Sequence, residues 1–214
     1  MQSSPAPRRS YGGKSADQRR AERREAVLGA ALEIWQESGW AAVTMRGVCA
    51  RAGLTDRYFY ESFTDRDALL AAIWDQMRDE TLTMLLGAIT PYADDDPVEQ
   101  LHAALVAIVH HVGDEPRRAQ IIFGDHSGSA VLEQRRRDTI QMAVDLVIDL
   151  ARPYLRADVD EVAFRVNVLM GIGGFVETIL AWRSGLITVD TDALVEHLAG
   201  VSVDLAPRFL RPWR

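Results

Sequence analysis

Between Thr44 and Arg66 the chain reads TMRGVCARAGLTDRYFYESFTDR, and the chemistry these residues support is nucleic-acid recognition. Val48, Ala52, Leu54 and Phe59 are spaced so that two short helices crossing at a steep angle meet on them. Gly53 falls between, where a sharp turn requires a positive φ that costs other residues energy. Cys49 stands one turn earlier, where a small side chain lets the second helix approach. That pattern is a helix-turn-helix. It places Thr44 and Thr55 as N-cap acceptors and turns Thr55, Asp56, Arg57, Tyr58 and Tyr60 outward, toward a major groove. Phe59 and Phe63 are expected in the core.

Other chemistry-bearing groups fit worse. Asp125, His126 and Ser127 have the residue types of a hydrolase triad, but consecutive positions cannot form its linear hydrogen-bond relay. The glycines at 171, 173 and 174 follow no strand, so they make no dinucleotide loop. His110 and His111 point about 100° apart on a helix and cannot readily share an ion. Glu133, Arg135, Arg136 and Arg137 read as a solvated helix face. Cys49 has no second cysteine to pair with, and a buried thiol is inert. The expectation is therefore a protein that is not an enzyme and needs no metal or cofactor.

The elements that position the recognition segment follow from periodicity. Residues 1–14 lack it and are rich in Pro, Ser, Gly and Arg, which reads as a flexible basic arm whose Arg8, Arg9 and Lys14 are available to the minor groove or to phosphates. Ser15 with Gln18 predicts a capping box, and Val27, Leu28, Ala31, Leu32 and Trp35 continue that helix to Gly39. Short helices follow over about 45–52 and 56–62, then a long fourth from Arg66 to Ile89. Asp96, Pro97 and Glu99 start a fifth, to about 112. A sixth is expected at 116–123, a seventh at 129–155, an eighth opened by an Asp158/Glu161 capping box and ended by Gly185, and a ninth at about 190–205. No stretch alternates with period two. The fold class is therefore all-α: a helix-turn-helix head over 15–65 and a helical bundle over 66–214, about nine helices in all.

Composition agrees. With 48% hydrophobic and 26% charged residues in 214, the chain is too apolar for disorder. Its longest apolar runs, such as 166–176, fall short of about 20 residues, so no membrane partner is expected. The basic, polar N-terminus does not resemble a secretory signal, and the single cysteine fits a reducing, cytoplasmic setting. The net charge of −7 is uneven: residues 1–66 carry 11 basic and 8 acidic side chains, residues 67–214 carry 13 and 23. A basic head on an acidic body suggests that one end meets a polyanion.

The run from Arg24 to Leu70 resembles the DNA-binding domain of the tetracycline-repressor (TetR) family. The resemblance rests on A-x-x-x-W-x-x-x-G at 31–39, T-M-R-x-V-C at 44–49, A-G-L-T at 52–55 and F-Y-x-x-F-x-D-R-D-x-L at 59–69. A weaker likeness at 171–185, G-x-G-G-x-x-E-x-x-x-x-W-x-x-G, is similar to the penultimate helix of many members. The resemblance implies a homodimer reading a partly palindromic double-stranded operator. It places Thr44 and Arg46 on phosphate, Thr55, Arg57 and Tyr58 on the recognition helix, Tyr60 as a phosphate donor, and Arg66 where the family usually has a phosphate-contacting lysine. The chain departs from the family at Arg57, usually small, and Tyr58, usually Thr or Ser. Arg57 suits either bidentate readout of a guanine edge or a phosphate anchor. Gly47 stands where an acidic residue is often found.

Helix 8 is apolar nearly all round, from Phe164 to Trp182, so something besides its own core must cover it. A second copy is the simplest cover, with Gly171, Gly173 and Gly174 permitting close approach and Leu194, Leu198 and Val201 of helix 9 alongside. The expectation, which the resemblance shares, is a homodimer through helices 8 and 9. Inside the bundle, Met77, Met84, Leu105, Val109, His110, Phe123, Met142, Met170 and Glu177 are candidates to line a pocket for an unidentified small-molecule effector, although the apolar ones equally fit an ordinary core. Glu177 could meet a cationic ligand, the dimer partner or a buried hydrogen bond. The functional expectation is a ligand-responsive DNA-binding transcriptional regulator, a repressor by the family resemblance, released from its operator by a small molecule. The alternative is a helical small-molecule-binding protein without sequence-specific DNA binding.

Overall fold

The computed structural model describes residues 15–93 and 97–212. The basic arm expected over 1–14 and the Asp96 cap expected for the fifth helix lie outside these residues. Nine α-helices occupy the described residues: α1 Ala16–Ser38, α2 Met45–Ala52, α3 Asp56–Tyr60, α4 Arg66–Ile89, α5 Pro97–Asp114, α6 Pro116–Phe123, α7 Ala130–Ala151, α8 Glu161–Arg183 and α9 Thr191–Phe209. Extended pairing among the described residues is limited to one antiparallel bridge, Leu155 with Leu210.

Local chemistry sets the boundaries. The Ser15 side chain accepts from Gln18 N while the Gln18 side chain accepts from Ser15 N, the capping box expected for α1. Gly39 ends that helix at φ 80°. Asp65 and Asp190 cap α4 and α9 by accepting from the third residue on. At α8 the expected box fails: Asp160 accepts from Val162 N and Ala163 N, whereas Asp158 pairs with Arg156 across two residues. The seventh helix also stops earlier than periodicity suggests, because Pro153 gives up a backbone donor and the chain tightens into a 3-10 turn over Arg152–Tyr154.

Two apolar clusters fill the interior. The first joins Val27, Ala31, Trp35, Val48 and Phe59 of the head to Leu69, Leu70, Ile73, Trp74 and Met77 of α4, with Ile121 and Leu132. The second gathers Val109 and Val112 of α5, Phe123 of α6, Val176 and Ile179 of α8, and Leu194 and Val195 of α9. The first three turns of α4 therefore belong to the head's core, and Ile122 packs against both clusters. A displacement of α4 or α6 cannot leave the head unaffected in an interior packed this closely.

Candidate nucleic-acid interface

The turn between α2 and α3 has the form the sequence requires. Gly53 adopts φ 65°, ψ 30°, and Leu54 N reaches back to Cys49 O at 3.0 Å, a left-handed C-cap that glycine accepts without penalty. Cys49 is buried beneath the turn. Burial, then the nearby Asp56 carboxylate, pushes its thiol upward from its ordinary range, which holds it as an unreactive thiol. Phe59 and Phe63 are buried, 5.9 Å apart by ring centroid.

Thr44, Arg46, Thr55, Arg57 and Tyr60 are exposed residues of the head; the Arg57 side chain is 85% exposed and Tyr60 58%. The Thr44 side chain accepts from Gly47 N at 3.2 Å and caps α2. Thr55 occupies the N-cap of α3 but makes no side-chain cap bond, so its hydroxyl is not used in the way expected. Tyr58 is half-buried, with the Arg23 guanidinium 4.6 Å from its ring centroid. Arg66 has partners within the head itself. Its Nε donates to Val43 O at 2.5 Å and Nη2 to Trp40 O at 2.7 Å, with the guanidinium 5.4 Å from the Trp40 ring. This side chain closes the turn between α1 and α2, because an arginine here reaches carbonyls left open at the end of the turn.

Periodicity alone did not reveal how the recognition helix is held. α3 has only five residues and no glycine at its end, and the carbonyls just beyond it take their donors from another helix. α1 supplies them: Arg20 Nη2 donates to Glu61 O at 2.8 Å and Arg24 Nη1 to Ser62 O at 3.1 Å. Arg24 also lies 4.4 Å from the Phe63 ring centroid. The basic turns of α1 were legible only as charge.

The joint between head and body is built by 120–126. Gln120 Nε2 donates to Trp35 O at 3.1 Å and Gln36 O at 2.9 Å, satisfying carbonyls at the end of α1. Trp40 Nε1 donates to Asp125 O at 3.2 Å. His126, only 4% exposed, stands edge-on to Trp35 and Trp74 at centroid distances of 6.0 and 4.9 Å, and both ring nitrogens are buried. Burial pushes the imidazole down to about 4, against a smaller opposing pull from Asp125. Asp125 itself accepts from Ser127 N and Oγ, and those bonds hold its carboxyl below the usual carboxylate range. The three residues form a turn and a wedge, with no relay among them.

The candidate pocket residues are not brought to one place. Val109 and Phe123 lie in the second cluster with Met84 against it, Met77 lies in the first, and Leu105 and Met142 are half-buried. His110, half-exposed, contacts Asp192 at 3.2 Å. Met170 is 69% exposed on the outer face of α8, and Glu177 is exposed and paired with Arg136 of α7 at 2.7 Å. Neither lines the interior. Two surface grooves stand out, one lined by α1 and the end of α3 and the other by Gln36 and 114–118; neither includes a candidate pocket residue.

By length and composition α8 is apolar enough to cross a bilayer, which a count of uninterrupted apolar runs did not register. Arg136–Glu177 and Arg165–Asp145 tie it to α7, and Arg183 donates from its end to Phe123 O and Pro116 O of α6. Val162, Val166, Leu169 and Met170 of α8 and Val201 and Val203 of α9 remain exposed.

Comparison with known proteins agrees with this architecture. Residues 27–73 match the family model described as bacterial regulatory proteins, tetR family. A search of the curated proteins gives no match. Among solved structures, the fatty acid degradation regulator FadR from Bacillus halodurans is similar with TM-score 0.66 at 15% identity, covering 83% of this chain and 96% of its own. NalD, the secondary repressor of the MexAB-OprM multidrug efflux pump in Pseudomonas aeruginosa, gives 0.64 at 19%, covering 91% and 100%. SmeT, the repressor of the Stenotrophomonas maltophilia multidrug efflux pump SmeDEF, gives 0.63 at 20%, covering 88% and 90%.

Proposed function

We infer the function from the premise that this chain is a regulator of the tetR family, to which its head belongs by residues 27–73: it is a dimeric repressor that leaves its operator when a small molecule binds its body. The observation that carries the DNA-binding half is the head itself. A glycine-turned pair of helices leaves Arg46, Thr55, Arg57 and Tyr60 exposed, which supports reading this pair as the DNA-binding surface. Arg46 and Tyr60 serve as phosphate contacts and Arg57 as the base reader, with Thr44 and Thr55 at the two helix starts beside them. Repression is inferred by analogy with two structural relatives, NalD and SmeT, which are repressors of multidrug efflux pumps. Such a protein works in the cytoplasm, where its DNA is.

Dimerisation is supported by the exposed apolar residues of α8 and α9. Val162, Val166, Leu169 and Met170, with Val201 and Val203 beside them, are costly to leave in water and suit a self-complementary four-helix seam. Met170 thus belongs to the seam rather than to the pocket. Two heads on one two-fold axis would then enter successive major grooves about 34 Å apart.

For release, an effector must bind better to the arrangement whose heads are set wrongly for DNA. Met84, Val109 and Phe123, which share the second cluster, are the residues we assign to an apolar effector; opening space among them moves α6. Gln120 and His126 carry that movement to Trp35, and α4 carries it through Trp74. A gel shift with promoter DNA beside the gene tests the reading. A sequence-preferring band at low salt is expected, and smearing equal to that on random duplex would contradict it.

A further inference from the structure

Glu61, immediately after α3, is an acidic group set among the arginines of the head, and its two oxygens hold different partners. Oε2 pairs with Arg23 of α1 at 3.0 Å, and Oε1 faces Nε of Arg57, one turn back on the recognition helix, at 3.5 Å. Its backbone carbonyl accepts from Arg20 at 2.8 Å, so the main chain that carries this carboxylate is itself fixed to α1. Arg23, the partner on the other side, lies against the Tyr58 ring. The side chain of Glu61 is 29% exposed, against 85% for Arg57. A held carboxylate thus meets a side chain that is otherwise free to swing.

We propose that Glu61 is a positioning residue for operator recognition, holding Arg57 by its Nε so that the two terminal nitrogens of the guanidinium point outward as a fork toward a guanine edge. This rests on the function inferred above. The guanidinium is planar, and its bidentate match to guanine O6 and N7 depends on the orientation of that plane. A solvated arginine must lose rotamer freedom to adopt it, whereas one already held on one side has less to lose. The negative charge also has a cost that only specificity repays: it repels phosphate, so it weakens binding to any sequence that does not engage Arg57. Arg23 sets the carboxylate, the carboxylate sets Arg57, and Tyr58 is fixed in the same network.

The experiment compares wild type, E61Q, R57A and the double variant on the duplex that wild type enriches from a random pool, and on that duplex with each base pair changed in turn. Glu61→Gln is isosteric and leaves the Arg20 and Arg24 bonds to the main chain in place, so the helix is retained; a thermal melt confirms it. R57A is expected to abolish discrimination at one base-pair position in each half-site. E61Q should lose roughly five- to tenfold of discrimination at that same position and keep or raise its affinity for random duplex, and the double variant should be no worse than R57A. Full discrimination retained in E61Q, or an equal loss at every position as a merely structural role would give, overturns the proposal. So does an R57A variant that discriminates as wild type does, which leaves the regulator reading intact. Failure of wild type to enrich any sequence removes that reading and the proposal with it.

Discussion

Arg66 Nε donates to Val43 O at 2.5 Å and Nη2 to Trp40 O at 2.7 Å, so the first side chain of α4 closes the turn that joins α1 to α2. A cation half-buried between carbonyls and an indole face holds the head's three helices to the start of α4. Replacing it leaves those carbonyls without a donor. Arg66→Ala should therefore destabilise the fold by about 2 kcal/mol, in the range for hydrogen bonds to a charged group. Denaturant unfolding checks this. The salt dependence of DNA binding by the remaining folded protein should match wild type, whereas a direct phosphate contact would lower that slope by about 1.

Arg46 is the contrasting case, exposed at the start of α2. Arg46→Ala should weaken specific and random duplexes by similar factors and reduce the salt slope by about 1, with stability unchanged. Titration of both duplexes at several salt concentrations reads all of this. A loss confined to one base pair would reassign Arg46 to readout.

His126 makes stability depend on pH. Its folded value of about 4 lies below the ordinary 6.5, so between these the unfolded chain binds more protons than the folded one. The stabilisation is complete above 6.5 and is lost as pH falls toward 4. At about 1.4 kcal/mol per pH unit the full contribution is about 3 kcal/mol. Unfolding free energy measured from pH 7.5 to 4.5 should fall more steeply in wild type than in His126→Phe. Parallel curves would mean that the imidazole does not stay neutral between Trp35 and Trp74.

Val166 and Met170 lie exposed and apolar on α8. A V166E/M170E variant should sediment as a folded monomer and lose operator affinity by at least tenfold, because one head alone contacts half the site. A dimer unchanged by both charges would place the seam elsewhere.

Most of the head was legible in the sequence, because a short turn with a fixed cap leaves few options: Gly53, Thr44 and Ser15 do what their positions require. Arg66 and Asp158 were not: the carbonyls that Arg66 reaches lie more than twenty residues back along the chain, and only packing decides whether Asp158 caps a helix or forms an ion pair. His126 was visible only as part of a failed triad. Its burial comes from Trp35 and Trp74, far apart along the chain, and no local pattern announces such a wedge. The body was legible as helices but not as a site: apolar residues that line a pocket and those that fill a core have the same types and spacing, and a helix apolar nearly all round does not tell which positions, such as Met170, face outward.

The most direct test of the central claim is selection of bound duplexes from a random DNA pool by the purified protein at moderate salt. Enrichment of an inverted repeat is expected, with half-site centres one helical turn, about 34 Å, or a whole multiple of it apart. A folded, dimeric protein that enriches no sequence would contradict it.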